Sequence, residues 1–210
     1  MFDLFKPHEK KIGVIIGTGP SLTAEQLDQV SHLRRFASNR AFEFDPDVLH
    51  GCNYQFWDTY WEQVKDLRCH KWTTRPELKG KYEGLNYIRE EWIDGLSTDK
   101  SYIAAHHGTG PQVVNLAYHY GCEVMLLIGW DMRHKGDRHY FGEYPNSCNH
   151  VTRNLGPDGE LTGLIKEMET LHPEDYGIEI INCTPDSAMK CFPMMDLDKA
   201  LNRYDASIKP

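Results

Sequence analysis

The 210-residue sequence predicts an α/β fold, a Rossmann-like parallel sheet with helices on both faces. Three observations carry that reading. Short apolar, β-branched runs alternate with segments of helical periodicity. The first run, Ile12–Ile16, breaks directly into the turn Gly17-Thr18-Gly19-Pro20-Ser21. A later run, Val124–Ile128, is continuously apolar, as suits a strand covered on both faces.

The elements follow in order. After the glycine turn, Thr23 with Gln26 three residues on forms a capping box, so a helix is expected over 24–30. Residues 34–37 read as a second strand, ended by Ser38-Asn39-Arg40, and 48–50 as a weaker third. Trp57, Tyr60, Trp61 and Val64 recur at helical spacing within 55–67, an amphipathic helix laying aromatics on the sheet. Residues 69–72 suggest another strand. From 73 to 100, Pro76, Gly80, Gly84 and Gly95 interrupt any pattern, which reads as a long excursion with short local structure.

Order returns at Tyr102-Ile103-Ala104. A helix then presents Val113, Leu116, Ala117 and Tyr120 on one face and stops at Gly121. The strand Val124–Ile128 ends in Gly129-Trp130-Asp131-Met132 and leads into a long polar loop near 131–160. Leu161, Leu164, Ile165, Met168 and Leu171 mark a further helix, and 178–181 a last strand before Asn182-Cys183-Thr184-Pro185. The whole chain, 1–210, reads as one α/β domain.

Composition bounds the function. The net charge of −8 argues against nucleic acid and against an anionic membrane surface as partners. No apolar run is long enough to cross a bilayer, and the first residues lack the pattern of a secretion signal, so a cytoplasmic protein is expected. The six cysteines form no CxxC pair and read as thiols, with Cys122 and Cys183 as small core residues. A homo-oligomer is compatible with everything above.

In a doubly wound sheet, ligands bind beyond the carboxyl ends of the strands, where strand order reverses. The residues just after each strand are therefore the candidates: Gly17, Thr18, Gly19, Pro20 and Ser21; Asn39 and Arg40; Asn53; His107, Gly108, Thr109 and Gly110; Gly129, Trp130, Asp131 and Met132; and Asn182 to Ser187. Polar turns feeding helix N-termini suit a phosphate, and so a nucleotide. Two nucleotide signatures are absent. Leu22 stands where a dinucleotide fingerprint needs its third glycine, and Asn39 where it needs an acid; there is also no Gly-Lys-Ser/Thr. The loop after Met132 gathers Arg133, Arg138, His139, Tyr140, Tyr144 and His150, a set able to bind phosphate and move a proton, and its length suggests a lid. No spacing in it matches a zinc site. Magnesium arriving with a nucleotide would find Asp131.

The ordered blocks GTGPSL (17–22), Ser38-Asn39-Arg40, His107-Gly108-Thr109-Gly110 through Asn115-Leu116-Ala117, LIGWDM (127–132) and INCTPDS (181–187) resemble the bacterial lipooligosaccharide sialyltransferases and the related archaeal 6-hydroxymethylpterin diphosphokinase-like domains. The sequence is more closely similar to phage-encoded members of that group, through Cys52 to Trp57 and the loop His139-Tyr140-Phe141-Gly142-Glu143. The resemblance spans 12–201. It implies a transferase whose glycine turn and Asn39 hold the phosphate and the ribose or base of a nucleotide donor. It also implies a histidine base, His139 or His150, and tyrosines on the leaving phosphate, Tyr140 and Tyr144. The donor would be a nucleotide-sugar of CMP or UDP type, or ATP with magnesium, and the setting the host cytoplasm. Three functions stay open: a glycosyltransferase-like enzyme acting on a hydroxyl acceptor, an ATP-dependent pyrophosphokinase on a small heterocyclic alcohol, and a non-enzymatic nucleotide- or sugar-binding phage protein.

Overall fold

A computed structural model describes residues 11–106, 108–133, 139–142 and 158–205. Seven parallel strands make the main sheet: β1 (Ile12–Ile16), β2 (Arg34–Ser38), β3 (Val48–His50), β4 (His70–Thr73), β5 (Leu85–Tyr87), β8 (Val124–Ile128) and β9 (Glu179–Asn182). Two short strands, β6 (Arg89–Glu91) and β7 (Tyr102–Ala104), pair with each other apart from it. Spatial order in the main sheet is β5-β4-β3-β2-β1-β8-β9. The chain builds outward from β1 in one direction, then returns to lay β8 on its other side. The order reverses between β1 and β8.

The helices are α1 (Ala24–Gln29), α2 (Tyr54–Val64), α3 (Thr109–His119), α4 (Thr162–Glu169) and α5 (Leu197–Tyr204). Their apolar faces and the alternate faces of the strands divide the core. One cluster unites Ile15, Phe36, Met125 and Leu127 with Val113 and Leu116 of α3, Tyr120 just after it and Met168 of α4. The other face of the same strands, Val14, Ile16, Leu126 and Ile128, packs with Leu22, Val30, Leu197 and Leu201. β1 and β8 are therefore apolar on both faces, which is why their sequences run without alternation. A third cluster is aromatic: Trp57, Tyr60 and Phe56 of α2 against Phe42 and Leu49.

Most expected elements fall within a residue or two of their observed bounds. The capping box is present, with Thr23 N–H donating to the Gln26 side chain and Gln26 N–H to Thr23 Oγ1. Three features differ from expectation. Residues 85–87 are a strand of the main sheet, Tyr102–Ala104 pairs outside it, and α5 went unseen. One residue of α3 joins two parts of the stretch from 73 to 104. Asn115 accepts from Ser97 N and Ala104 N through its side-chain carbonyl and donates to Ser97 O, so its buried amide pins two distant segments to α3. Cys122 and Cys183 are buried as expected, and burial pushes both thiols up to about 12, far from the thiolate form.

Candidate functional site

At the switch point, the turn after β1 and the turn after β8 lie against each other. Gly17 N donates to Ile128 O and Gly19 N to Gly129 O, both at 2.8 Å, so the β1–β8 pairing continues past the sheet. This closeness needs glycine. A Cβ on Gly17 would sit 2.3 Å from Gly129 O, and one on Gly19 only 1.8 Å from Asp131 Oδ2. Gly129 itself takes φ +68, open to glycine at no cost. Asp131 closes the contact, receiving Ser21 N–H at 3.2 Å and Ser21 Oγ at 2.8 Å on its two carboxylate oxygens. Burial holds its carboxyl above the usual aspartate range, with the Ser21 bonds and Arg133 pulling the other way.

The amides of Gly17, Gly19 and Ser21 are turned to the β8 loop, so the turn does not offer the row of open N–H groups that a phosphate cradle needs. Glycine is required here by the neighbouring loop. Asp131 likewise gives both oxygens to Ser21, and among the described residues no three His, Cys, Asp or Glu side chains converge as metal ligands.

What faces outward is side chains. Thr18 Oγ1 lies 3.0 Å from His139 Nδ1, and Thr18 O accepts Tyr140 N–H at 2.7 Å. Beside it, Asn39 follows β2 with φ +49, a left-handed conformation that asparagine tolerates. Its Nδ2 donates to Thr109 Oγ1 at 3.2 Å, and Thr109 in turn meets Cys52 Sγ at 2.9 Å. The ends of β2, β3 and α3 are so tied in one polar chain. Arg40 donates to Glu43 and to Phe141 O and lies over the Phe141 ring, while Phe44 stacks on Phe141 and meets Tyr140 edge-on. Residues 139–142 are thus docked by aromatic and hydrogen-bond contacts onto the turn after β1 and the short helix after β2. On the β8 side, Pro20, Ser21, Asp131, Arg133, Pro185 and Asp186 line a cavity of about 290 Å³.

Other candidates sit beneath the site. Trp130 is buried, its indole donating to Ile15 O, and its ring occupies the space beside Gly110. Gly108 leaves room for Leu164. Asn53 caps α2 by accepting from Gln55 N, and Met132 is buried with φ +53, an uncommon backbone state for its type. The Asn182, Thr184 and Ser187 pattern, fully buried, proves to be scaffold: Thr184 Oγ1 accepts Trp130 N–H, and Ser187 Oγ donates to Trp130 O. His107, Tyr144, His150 and Arg138 lie outside the described residues. One group at the site had no forecast: His50 bridges Trp72 O and Gln112, which continues to Glu90, and burial lowers its pKa. Its place in a three-residue strand followed by glycine gave no hint of that relay.

Compared with solved structures, the chain is similar to the monofunctional alpha-2,3-sialyltransferase Cst-I from Campylobacter jejuni. The TM-score is 0.50, over 91% of this chain and 83% of that one, at 15% sequence identity. The fold is sialyltransferase-like. No family model matches the chain, and no curated protein does. At that identity the likeness concerns the arrangement of strands and helices and carries no residue across.

Proposed function

We propose that the chain is a nucleotide-dependent transferase of glycosyltransferase type, moving a group from a nucleotide-activated donor to a hydroxyl acceptor. The observation that carries the reading is the meeting of Thr18 and His139 at the switch point, beside the Asn39–Thr109 pair. A sheet edge at a switch point is where such folds take nucleotides, and a neutral imidazole there serves as a proton acceptor. The Campylobacter neighbour, by its name a sialyltransferase, favours a CMP-sugar donor over UDP.

In this reading Asn39 and Thr109 hold the base or ribose, and the hydroxyls of Thr18 and Tyr140 meet the phosphate. The acceptor oxygen forms a bond to the transferred carbon. The bond from that carbon to phosphate oxygen breaks, its electron pair leaves with the nucleotide, and the acceptor's proton passes to His139. Arg133, lining the 290 Å³ cavity, offsets the charge on the departing phosphate. The group related to phage proteins and to archaeal diphosphokinase-like domains remains the wider family proposed, with the host cytoplasm as its setting.

Thermal-shift measurements with CMP, UDP and ATP, with and without magnesium, test the reading. Stabilisation by CMP or UDP without metal is expected. Stabilisation only by ATP with magnesium would replace it with the pyrophosphokinase reading, and no response to any nucleotide would remove both. On a donor that turns over, His139→Ala should lower turnover by about a hundredfold with donor affinity little changed.

A further inference from the structure

We infer that the Gln112 amide is a latch set by the protonation of His50. With a proton on both ring nitrogens, Gln112 fastens Glu90 of β6 to α3; with a proton on one, the amide turns and lets Glu90 go. The groups sit in line. His50 Nδ1 lies 3.0 Å from Trp72 O and His50 Nε2 2.8 Å from Gln112 Oε1, while Gln112 Nε2 donates to Glu90 Oε2 at 2.7 Å. His50 and Gln112 are buried, and Glu90 is half-buried.

Donor and acceptor chemistry fixes each contact. A backbone carbonyl only accepts, so Nδ1 carries a proton. A carboxylate also only accepts, so the NH2 end of Gln112 faces Glu90 and its oxygen faces His50. That oxygen needs a proton on Nε2. The line is complete when the ring is doubly protonated and one proton short when the ring is neutral. A neutral ring sets the Nε2 lone pair against the Gln112 oxygen in a place closed to water, an unmet contact that buried polar groups avoid. Turning the amide end for end removes it, because the NH2 then donates to Nε2. The amide oxygen now faces the Glu90 carboxylate, and that contact breaks. Glu90 is the partner that gives way, since it has water to turn to and His50 has none.

Two charges act on the ring, Glu90 from β6 and Arg75 just after β4. Burial lowers the His50 pKa below its ordinary 6.5; the Gln112 and Trp72 bonds and the Glu90 charge pull it back, and Arg75 adds to the lowering. The second proton therefore arrives on the acid side, so the latch closes as pH falls and opens as pH rises. β6 and β7 pair apart from the main sheet, and Glu90 ties that pair to α3.

Hydrogen exchange of the full chain reads the latch, from about pH 8 down to the lowest pH at which dichroism shows the chain folded. Protection factors, which allow for the intrinsic pH dependence of exchange, are compared for β6 and β7 against β1. The expected result is that β6 protection relative to β1 rises about tenfold on acidification, the scale of one hydrogen bond to a charged group. Glu90→Gln should abolish that rise, because a side-chain amide meets Gln112 in either orientation. Nitrogen-15 spectra of the same chain, with His50 assigned through bonds from its backbone, should show Nε2 bare at the upper end of the range and protonated at the lower. The midpoint should match that of the exchange change. Protection of β6 that is flat with pH in wild type, an equal rise in Glu90→Gln, or a His50 ring that keeps one state throughout would each overturn the latch.

Discussion

Asn39 and Gly19 show how differently single residues can be argued at one edge. Asn39 combines a left-handed backbone with a side chain bonded to Thr109. Asn39→Gly keeps the backbone state and removes only the amide. It should leave the melting temperature within a few degrees while weakening nucleotide binding by about 1–3 kcal/mol, the cost of an unpaired partner. Calorimetric titration of wild type and variant decides this, and unchanged affinity would take Asn39 out of the site. For Gly19 the space a Cβ needs belongs to Asp131. Gly19→Ala should therefore cost about 1–3 kcal/mol of stability in urea unfolding, as overpacking does. Adding Asp131→Ala should cost less than the sum of the single effects, because the clash with the carboxylate is gone and only the approach to Gly129 O remains. Additive losses would mean that the carboxylate is not what excludes a side chain there.

Among the elements, α3 does most to join distant parts of the chain. It carries Asn115, and one turn later His119, whose Nε2 lies 2.8 Å from Ser97 O. Burial is the main cause that lowers the His119 pKa from 6.5 to about 4. Between those values the unfolded chain binds a proton that the folded one does not. Stability therefore rises with pH across that window and is lost as pH falls from about 6.5 to about 4, by at most about 1.4 kcal/mol per pH unit. Asp131, its pKa raised by burial, acts in the opposite direction above its ordinary value. Comparing wild type with His119→Gln cancels that contribution. Urea unfolding at several pH values should show a shallower acid slope in the variant, and equal slopes would remove His119 as the cause.

At the scale of the whole molecule, the sheet gathers strands from residue 12 to residue 182, and both core faces span β1 and β8. A chain so interleaved should unfold as one cooperative unit. Far-ultraviolet dichroism and tryptophan fluorescence, reporting on all five tryptophans, should give coincident urea transitions. An earlier transition in either probe would mark the excursion from 73 to 104 as a separate unit. Among the described residues no helix is long and apolar enough to cross a membrane.

Much of this was legible in the sequence because local chemistry decides it. Apolar runs made β1 and β8 readable, Thr23 and Gln26 wrote the start of α1, and Gly121 the end of α3. The strand-end residues were readable as an edge, since strands alternating with helices leave no other place for turns of Gly, Ser, Thr and Asn to meet. What only the tertiary structure decided was which groups at that edge point outward. Glycines at 17 and 19 look alike whether a phosphate or a neighbouring loop lies against them, and here the loop after β8 takes their amides. Thr184 and Ser187 look like ligand contacts and instead tie that loop down, with Asn182 accepting from Thr184 N. Thr18 and His139, separated by 121 positions, had no spacing to link them. Their meeting depends on the strand order reversing between β1 and β8, a long-range event that no local pattern encodes.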